Sequence, residues 1–397
     1  MSLDRTYLSA FAPRRPAHAS SQVHGVEWLT AAHTRAEGVA RAARGEEFDA
    51  EAFASQMRKF IQRFGCSPEK IASRGHALED FNHFDWERMR IFDVTRQPHG
   101  ADLAARNSFF REAAEDAFEA WYANGSGSDP HPPDEIIHVS CTGYVSPSAA
   151  QSAVVRMGWQ ERTQVTHAYH MGCYAAIPAL RMARGFLAAE PGRRTRVDIA
   201  HTELCTLHFD PLKHAPEQLV VQSLFADGFI RYGVTRTPPA RAQPGAPSGF
   251  EIVSLREEMV PGSRDAMTWD LSPWGFAMTL SRDVPSLIAG ALPGFLERLC
   301  TEAGLSFADE RAKAVFAVHP GGPKIIEKVA ELLELSTSQT AFSERVLASC
   351  GNMSSATLPH IWDLVSRDAA VPEGTLVVSL AFGPGLSICG ALLRKTP

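Results

Sequence analysis

The sequence has 7 cysteines but no C-x-x-C pair. An odd cysteine count without paired spacing argues against a disulfide framework and against a zinc knuckle. No apolar run reaches the roughly 18 residues needed to cross a bilayer. The opening stretch, MSLDRTYLSAFAPRRPAHASS, lacks the apolar core of a secretion signal. The expectation is a cytoplasmic protein, off the membrane, with reduced and mostly buried thiols. Positive charge is also short: 39 Lys and Arg stand against 45 Asp and Glu, for a net charge of −6. The clustered cations that displace counterions from phosphate are missing, so nucleic acid is not an expected partner. Hydrophobic residues at 45% and charged residues at 21% exclude a disordered chain. A length of 397 residues suits about two to three domain-sized units or one large duplicated unit.

The patterning predicts helices over 25–43, 49–64 and 101–123, the last closed by Asn124, Gly125 and a Ser/Gly/Pro loop. Buried strands are predicted at IIHVSC (136–141) and RVDIAHTEL (196–204). Between them lie a strand-like VTHAYHM and a small-residue helix, CYAAIPALRMARGFLAA, that accommodates Pro178 if it sits near the helix start. A helix over 218–226 and a strand over 228–235 precede the proline-bearing segment 235–249, the best linker candidate. The second half repeats the theme with KAVFAVH, an amphipathic helix over 322–335, a loop into a helix over 352–368, and two closely linked strands over 375–393. Alternating strands and helices in two similar halves predict a duplicated α/β fold.

Three residues stand where chemistry needs them. Cys173, in HMGCYAAIPALRMA, follows a turn-permitting Gly172 and precedes a helix. Backbone N–H groups and the positive end of the helix dipole, aimed at the sulfur, are expected to lower the thiol pKa and favour a nucleophilic thiolate. Taken alone, Cys173 also reads as a buried structural cysteine. His319, in AVHPGGPK, ends an apolar strand before a tight turn. Asn352, in CGNMSSA, sits in a small-residue turn where its amide can donate to a developing oxyanion or simply cap the next helix. His167, His170 and Cys173 read H-x2-H-x2-C, but residues three apart on a strand face opposite ways, so no metal site is expected.

HMGCYAAIPALRMA, AVHPGGPK, CGNMSSA and AFGPGLS occur in an order that resembles the chalcone synthase-like type III polyketide synthases, within the thiolase-type condensing enzymes. The resemblance is close over about residues 130–397 and loose before. It implies a thiolase-like duplicated αβαβα fold, with an N-terminal half (1–240) carrying the nucleophilic cysteine and a C-terminal half (241–397) carrying the histidine and asparagine. It implies Cys173, His319 and Asn352 as the catalytic set. Phe225, in SLFADG, matches the first gatekeeper phenylalanine, and Met278 stands where the second is expected. Glu203 is retained in the cavity and Ser354 belongs to the GNMSSA motif. Cys205 and His208 replace threonines, and Trp269 replaces a small residue. Because Trp269 and His208 are large, a short product is expected.

The resemblance implies acyl transfer of a starter thioester to Cys173, then decarboxylative Claisen condensation with malonyl-CoA. It needs no metal or redox cofactor, only coenzyme A thioesters as substrates. Lys70 and Arg74, in CSPEKIASRGH, are the candidate coenzyme A contacts, with two solvated surface charges as the equal alternative. A homodimer is implied, with the CTGYVSPS loop closing the partner's cavity and Ser146 near its tip. Two other readings stay open: a ketosynthase III-like enzyme fed by an acyl carrier protein, and a thiolase-fold protein that only binds or transfers acyl groups.

Overall fold

The computed structural model describes residues 5–122, 131–239 and 247–396. The first half contains β1 (Tyr7–Arg14), β2 (His18–Ser21), α1 (Gln22–Arg44), α2 (Ala50–Phe64), β3 (Ser73–His76), α3 (Leu103–Tyr122), β4 (Glu135–Ser140), α4 (Ala149–Arg156), β5 (Gln164–Tyr169), α5 (Ala176–Ala189), β6 (Arg196–Leu204), α6 (Pro216–Leu224) and β7 (Asp227–Thr235). The second contains β8 (Phe250–Met259), β9 (Met267–Ser272), β10 (Gly275–Leu280), α7 (Val284–Glu302), α8 (Phe307–Arg311), β11 (Val315–Val318), α9 (Pro323–Leu332), α10 (Thr337–Cys350), α11 (Thr357–Arg367), β12 (Leu376–Gly383) and β13 (Ser387–Lys395).

Local chemistry sets the helix ends. The Ser21 side chain accepts the His24 N–H to start α1, and Gly45, at φ 69°, closes it in a left-handed turn. Asp49 caps α2 through the Ala52 N–H. Ser148 and Gln151 form a reciprocal capping box on α4. Pro178 lies in the first turn of α5, where a missing N–H costs nothing.

The duplication is visible in strand pairing. In the first half β4 runs parallel to β6, β6 antiparallel to β7, and β7 antiparallel to β1. In the second, β11 runs parallel to β12, β12 antiparallel to β13, and β13 antiparallel to β8. Strand β5 extends the first set and has no counterpart in the second. The two sets meet where Tyr7 and Leu8 of β1 pair with Glu251 and Phe250 of β8. Strand β1 was not predicted from the sequence. Its alternating YLSAFAPR is short, and only β7 and β8 on its flanks make it a strand.

Alternate residues of the buried strands face different cores, as the period of two requires. Ile137 and Val139 of β4, with Ala317 and Val377 from the second half, pack on α5 and α11. Ile136 and Ala200 face α1 and α3. Phe316, Val318 and Val378 face α7. The result is the αβαβα layering, with α5 and α11 as the central layer. The division proposed at 240/241 falls among residues outside those described; β7 ends at Thr235 and β8 begins at Phe250. Among the described residues, no helix is long and apolar enough to cross a membrane.

Candidate functional site

Cys173 follows β5 through a turn that two positive backbone angles make possible: His170 at φ 63° and Gly172 at φ 83°. A Cβ on Gly172 would also lie 2.9 Å from Cδ of Pro384, so glycine is required for the close approach of the AFGPG turn. The thiol is 6% exposed. Ser354 Oγ donates to Cys173 Sγ at 3.7 Å. Ser354 itself is held at φ 49°, a left-handed conformation that a serine adopts only when its surroundings insist.

The pair Leu224–Phe225, at the end of α6, assembles the rest. The Asn352 N–H donates to Leu224 O at 3.0 Å, and the Ala226 N–H donates to Asn352 O at 2.8 Å. Asn352 Oδ1 accepts the Ser354 N–H at 2.9 Å, which orients the amide and leaves Nδ2 buried without a partner. His319 directly follows β11, its N–H donating to Leu380 O at 2.7 Å. Gly322, at the end of the following turn, abuts Leu224. The His319 ring is buried and neither Nδ1 nor Nε2 has a partner. Buried polar atoms are nearly always paired, and an orphan costs about 1–3 kcal/mol. Three such atoms lie on two residues singled out in the sequence.

One expectation is corrected. The helix after Cys173 was expected to lower the thiol pKa. Burial instead pushes it up to about 12, with the Glu203 carboxylate adding to the rise and Ser354 and Asn352 opposing it. Helix α5 begins only at Ala176, so its N-terminus does not overcome the loss of solvent. Burial likewise pushes His319 down to about 3. The resting site therefore holds a thiol and a neutral imidazole.

Cys141, which the sequence reading left among the structural cysteines, belongs to the same cluster. Its Sγ lies 3.1 Å from Ser354 Oγ and 3.5 Å from Glu203 Oε2. The available signal was its position, ending a buried strand as His319 does. Glu203 is completely buried behind it, accepting from the Cys141 N–H at 3.0 Å, from Thr142 Oγ1 at 2.9 Å and from Ser355 Oγ. Ser355 bonds to His201 Nδ1 at 2.9 Å, and His201 Nε2 bonds to the Tyr232 hydroxyl at 2.9 Å. These donors oppose burial, which raises the Glu203 pKa.

Cys173, Cys141, Cys205, Ser354, Phe225, His208, Trp269 and Met278 line one cavity. Its volume is about 60 Å³. Trp269 and Met278, two of the departures from the expected pattern, are direct cross-strand partners in the β9–β10 ribbon. Trp269 Nε1 donates to Cys141 O at 2.7 Å. His208 stacks on Phe276, a wall residue missed in the sequence, at 4.4 Å between ring centroids. It accepts the Phe276 N–H on Nδ1 and bonds through Nε2 to Thr142 O at 2.9 Å. Its pKa falls to about 3 through burial, so it is a neutral strut between the ribbon and the 141–142 turn.

Arg74 is partly buried and lines the cavity, and its guanidinium donates to Gln22 Oε1, Gln222 O and Phe225 O. Lys70 is half-exposed and paired with Glu327 at 2.7 Å. His167 and His170 bond to Ser148 Oγ and Trp269 O respectively. Ser146 is exposed.

The layering and the close structural likeness define a thiolase-like condensing fold. The type III polyketide synthase domain of Steely1 from Dictyostelium superimposes with a TM-score of 0.80 at 22% identity, covering 99% of this chain and 100% of that one. Two family models match: chalcone and stilbene synthases, N-terminal domain, over residues 102–234, and chalcone and stilbene synthases, C-terminal domain, over residues 251–397. Type III polyketide synthase C of Arabidopsis thaliana is 31% identical over 265 residues, 66% of this chain and 67% of that protein. Probable polyketide synthase 1 of Dictyostelium discoideum is 30% identical over 271 residues, 68% of this chain but 8% of that much longer protein. The chain belongs to the type III polyketide synthase family, whose members are acyl-transferring condensing enzymes.

Proposed function

We propose that this chain loads an acyl starter from coenzyme A onto Cys173 and extends it by decarboxylative condensation with malonyl-CoA. The observation that carries the reading is the set of orphaned atoms: Nδ1 and Nε2 of His319 and Nδ2 of Asn352, all buried. In this reading, the neutral imidazole of His319 takes the Cys173 proton as sulfur attacks the starter thioester. Coenzyme A leaves with that proton, and the acyl group stays on sulfur. Malonyl-CoA then places its thioester oxygen against Asn352 Nδ2–H and the His319 ring. Loss of CO2 leaves an electron pair that moves onto this oxygen as an enolate. Pre-aimed donors in a water-poor cavity stabilise that charge without reorganisation. The carbanion attacks the acyl carbonyl, a C–C bond forms, and the Cys173 thiolate departs.

Exposed Lys70 and cavity-lining Arg74 are the cations read as coenzyme A contacts. The protein is further read as a cytoplasmic homodimer with the Ser146 loop at the partner's cavity. Family membership favours coenzyme A over a carrier protein as the acyl donor. Mass spectrometry of products from a panel of acyl-CoA starters with malonyl-CoA tests the reading. Chain-extended products that vanish with Cys173→Ala are expected; no extension from any starter, and no malonyl-CoA decarboxylation, would overturn it.

A further inference from the structure

Behind the cavity, Tyr232, His201, Ser355 and Glu203 run in single file through a hydrophobic core. Tyr232 of β7 is the direct cross-strand partner of Ile199 on β6, and His201 and Glu203 follow Ile199 at intervals of two. All three polar residues therefore leave the sheet on one face. Tyr232 packs in one cluster with Ile199 and with Trp362 of α11. Tyr232 and His201 are 0% exposed, and their rings stack at 5.6 Å between centroids. A phenol and an imidazole buried among apolar side chains cost free energy unless each is fully bonded.

The bonding fixes where each proton sits. Burial pushes the Tyr232 hydroxyl well above its ordinary range, so it keeps its proton, and His201 Nε2 is its partner. A proton on Nε2 as well would leave the phenol proton a buried orphan. Nε2 is therefore bare and accepts. Nδ1 carries the ring proton and donates to Ser355 Oγ at 2.9 Å. The Ser355 proton then goes to Glu203 Oε1. The other carboxylate oxygen receives the Cys141 N–H and Thr142 Oγ1, and Thr142 Oγ1 already accepts the Leu204 N–H. Burial alone would neutralise Glu203, but a carboxylate is the form that uses all these donors. The thiols of Cys141, Cys173 and Cys205 feel its charge, and His138 and His360 stand near His201. We propose that Tyr232 and His201 are positioning residues: they aim the Ser355 hydroxyl at Glu203 and keep it a carboxylate. That charge holds the Cys173 sulfur as a thiol until His319 takes its proton. The thiolate, the form that alkylating agents and oxidants attack, is thereby confined to turnover. The proposal rests on the reading above only in that Cys173 is the acylated residue.

Two measurements test this without turnover. Nitrogen NMR of protein labelled at its histidines reports which ring nitrogen carries the proton, His201 being assigned by the signal lost in His201→Asn. A proton on Nδ1 of His201 is expected; a proton on Nε2, or on both nitrogens, overturns the proposal. The second measurement is the rate of iodoacetamide labelling of Cys173, read by peptide mass spectrometry across pH. Glu203→Gln removes the charge, and His201→Phe removes the donor to Ser355. Both are expected to label Cys173 about threefold faster or more near neutral pH, with the profile moved to lower pH. His201→Asn keeps an N–H near the Nδ1 position and is expected to label as the wild type does, whereas a merely structural role would affect both His201 variants alike. Tyr232→Phe, with the same faster labelling expected, replaces His201→Phe should that variant fail to fold by circular dichroism. Labelling at the wild-type rate in Glu203→Gln or in His201→Phe overturns the proposal. So does a His201→Asn protein that labels as fast as His201→Phe. Absence of malonyl-CoA decarboxylation by the wild-type protein, with the tautomer and the labelling as expected, overturns the condensing reading and leaves the relay standing.

Discussion

Cys173 leaves its strand into a turn packed against Pro384, receives the Ser354 hydroxyl and opens onto the cavity. His319 leaves its own strand into a proline- and glycine-framed turn, and its ring has no partner at all. Both residues sit at strand-to-helix junctions, one per half, and both are neutral at rest because burial acts in opposite directions on an acid and a base. The difference is in what each is waiting for. The thiol already receives the Ser354 hydroxyl, which will stabilise its charge. The imidazole and the Asn352 amide hold unsatisfied atoms whose partners come only with substrate. One duplicated framework thus supplies a supported nucleophile from its first half and unpaired polar groups from its second.

The strongest way to break this comparison is to remove one side at a time. Cys173→Ala is expected to abolish chain-extended product while leaving malonyl-CoA decarboxylation measurable, because enolate stabilisation does not need the thiol. Asn352→Ala is expected to slow decarboxylation itself by about 100- to 1000-fold, the usual loss for an oxyanion donor. Equal loss of decarboxylation in both variants would mean that the two junctions do not divide the work. Trp269→Gly comes next. It opens the ribbon side and removes the Nε1 bond to Cys141 O, so longer products by mass spectrometry are expected with Cys173 chemistry retained. An unchanged product length would show that this wall does not limit extension.

The neutral histidines give a third test. His33 and His76 are lowered to about 4 and His138, His201, His208 and His319 to about 3, chiefly by burial. Each binds a proton in the unfolded chain below about 6.5 and resists it in the fold. The unfolded state therefore carries more protons between about 6.5 and 3, and stability falls as pH falls through that window. Asp227, raised to about 6, and Glu203, also raised, both by burial, act in the opposite sense but are outnumbered by the histidines. Thermal melts should show Tm falling on acidification from pH 7 to pH 5; a rising Tm would contradict the burial of these rings. A smaller effect concerns labelling. Iodoacetamide should modify the partly exposed Cys350 faster than Cys173 in the ligand-free protein, with Cys173 labelling rising steeply towards alkaline pH. Smallest is Lys70→Ala, expected to raise the malonyl-CoA KM only a few-fold, because an exposed cation is well screened.

Much of this was legible in the sequence because it is local. Turn chemistry around Gly172, the strand ending at His319 and the GNMSSA turn are short patterns whose backbone demands are met by near neighbours. The repeated strand-to-helix order likewise announced a duplicated α/β fold. What the sequence could not hold was burial and cross-chain pairing. Whether a helix end lowers a thiol's pKa depends on how much solvent the rest of the fold removes, and here desolvation prevailed. Arg74 reads as a surface cation until Gln22, Gln222 and Phe225, all distant in sequence, close around it. Trp269 and Met278 become one feature only through ribbon register. The cavity beside Cys173 exists because residues from α1, β3 and α6 converge on it. Residue identity and short spacing determined which groups are capable of chemistry. The free energy of each group in place, and the shape left between them, was decided by contacts between segments far apart in the chain.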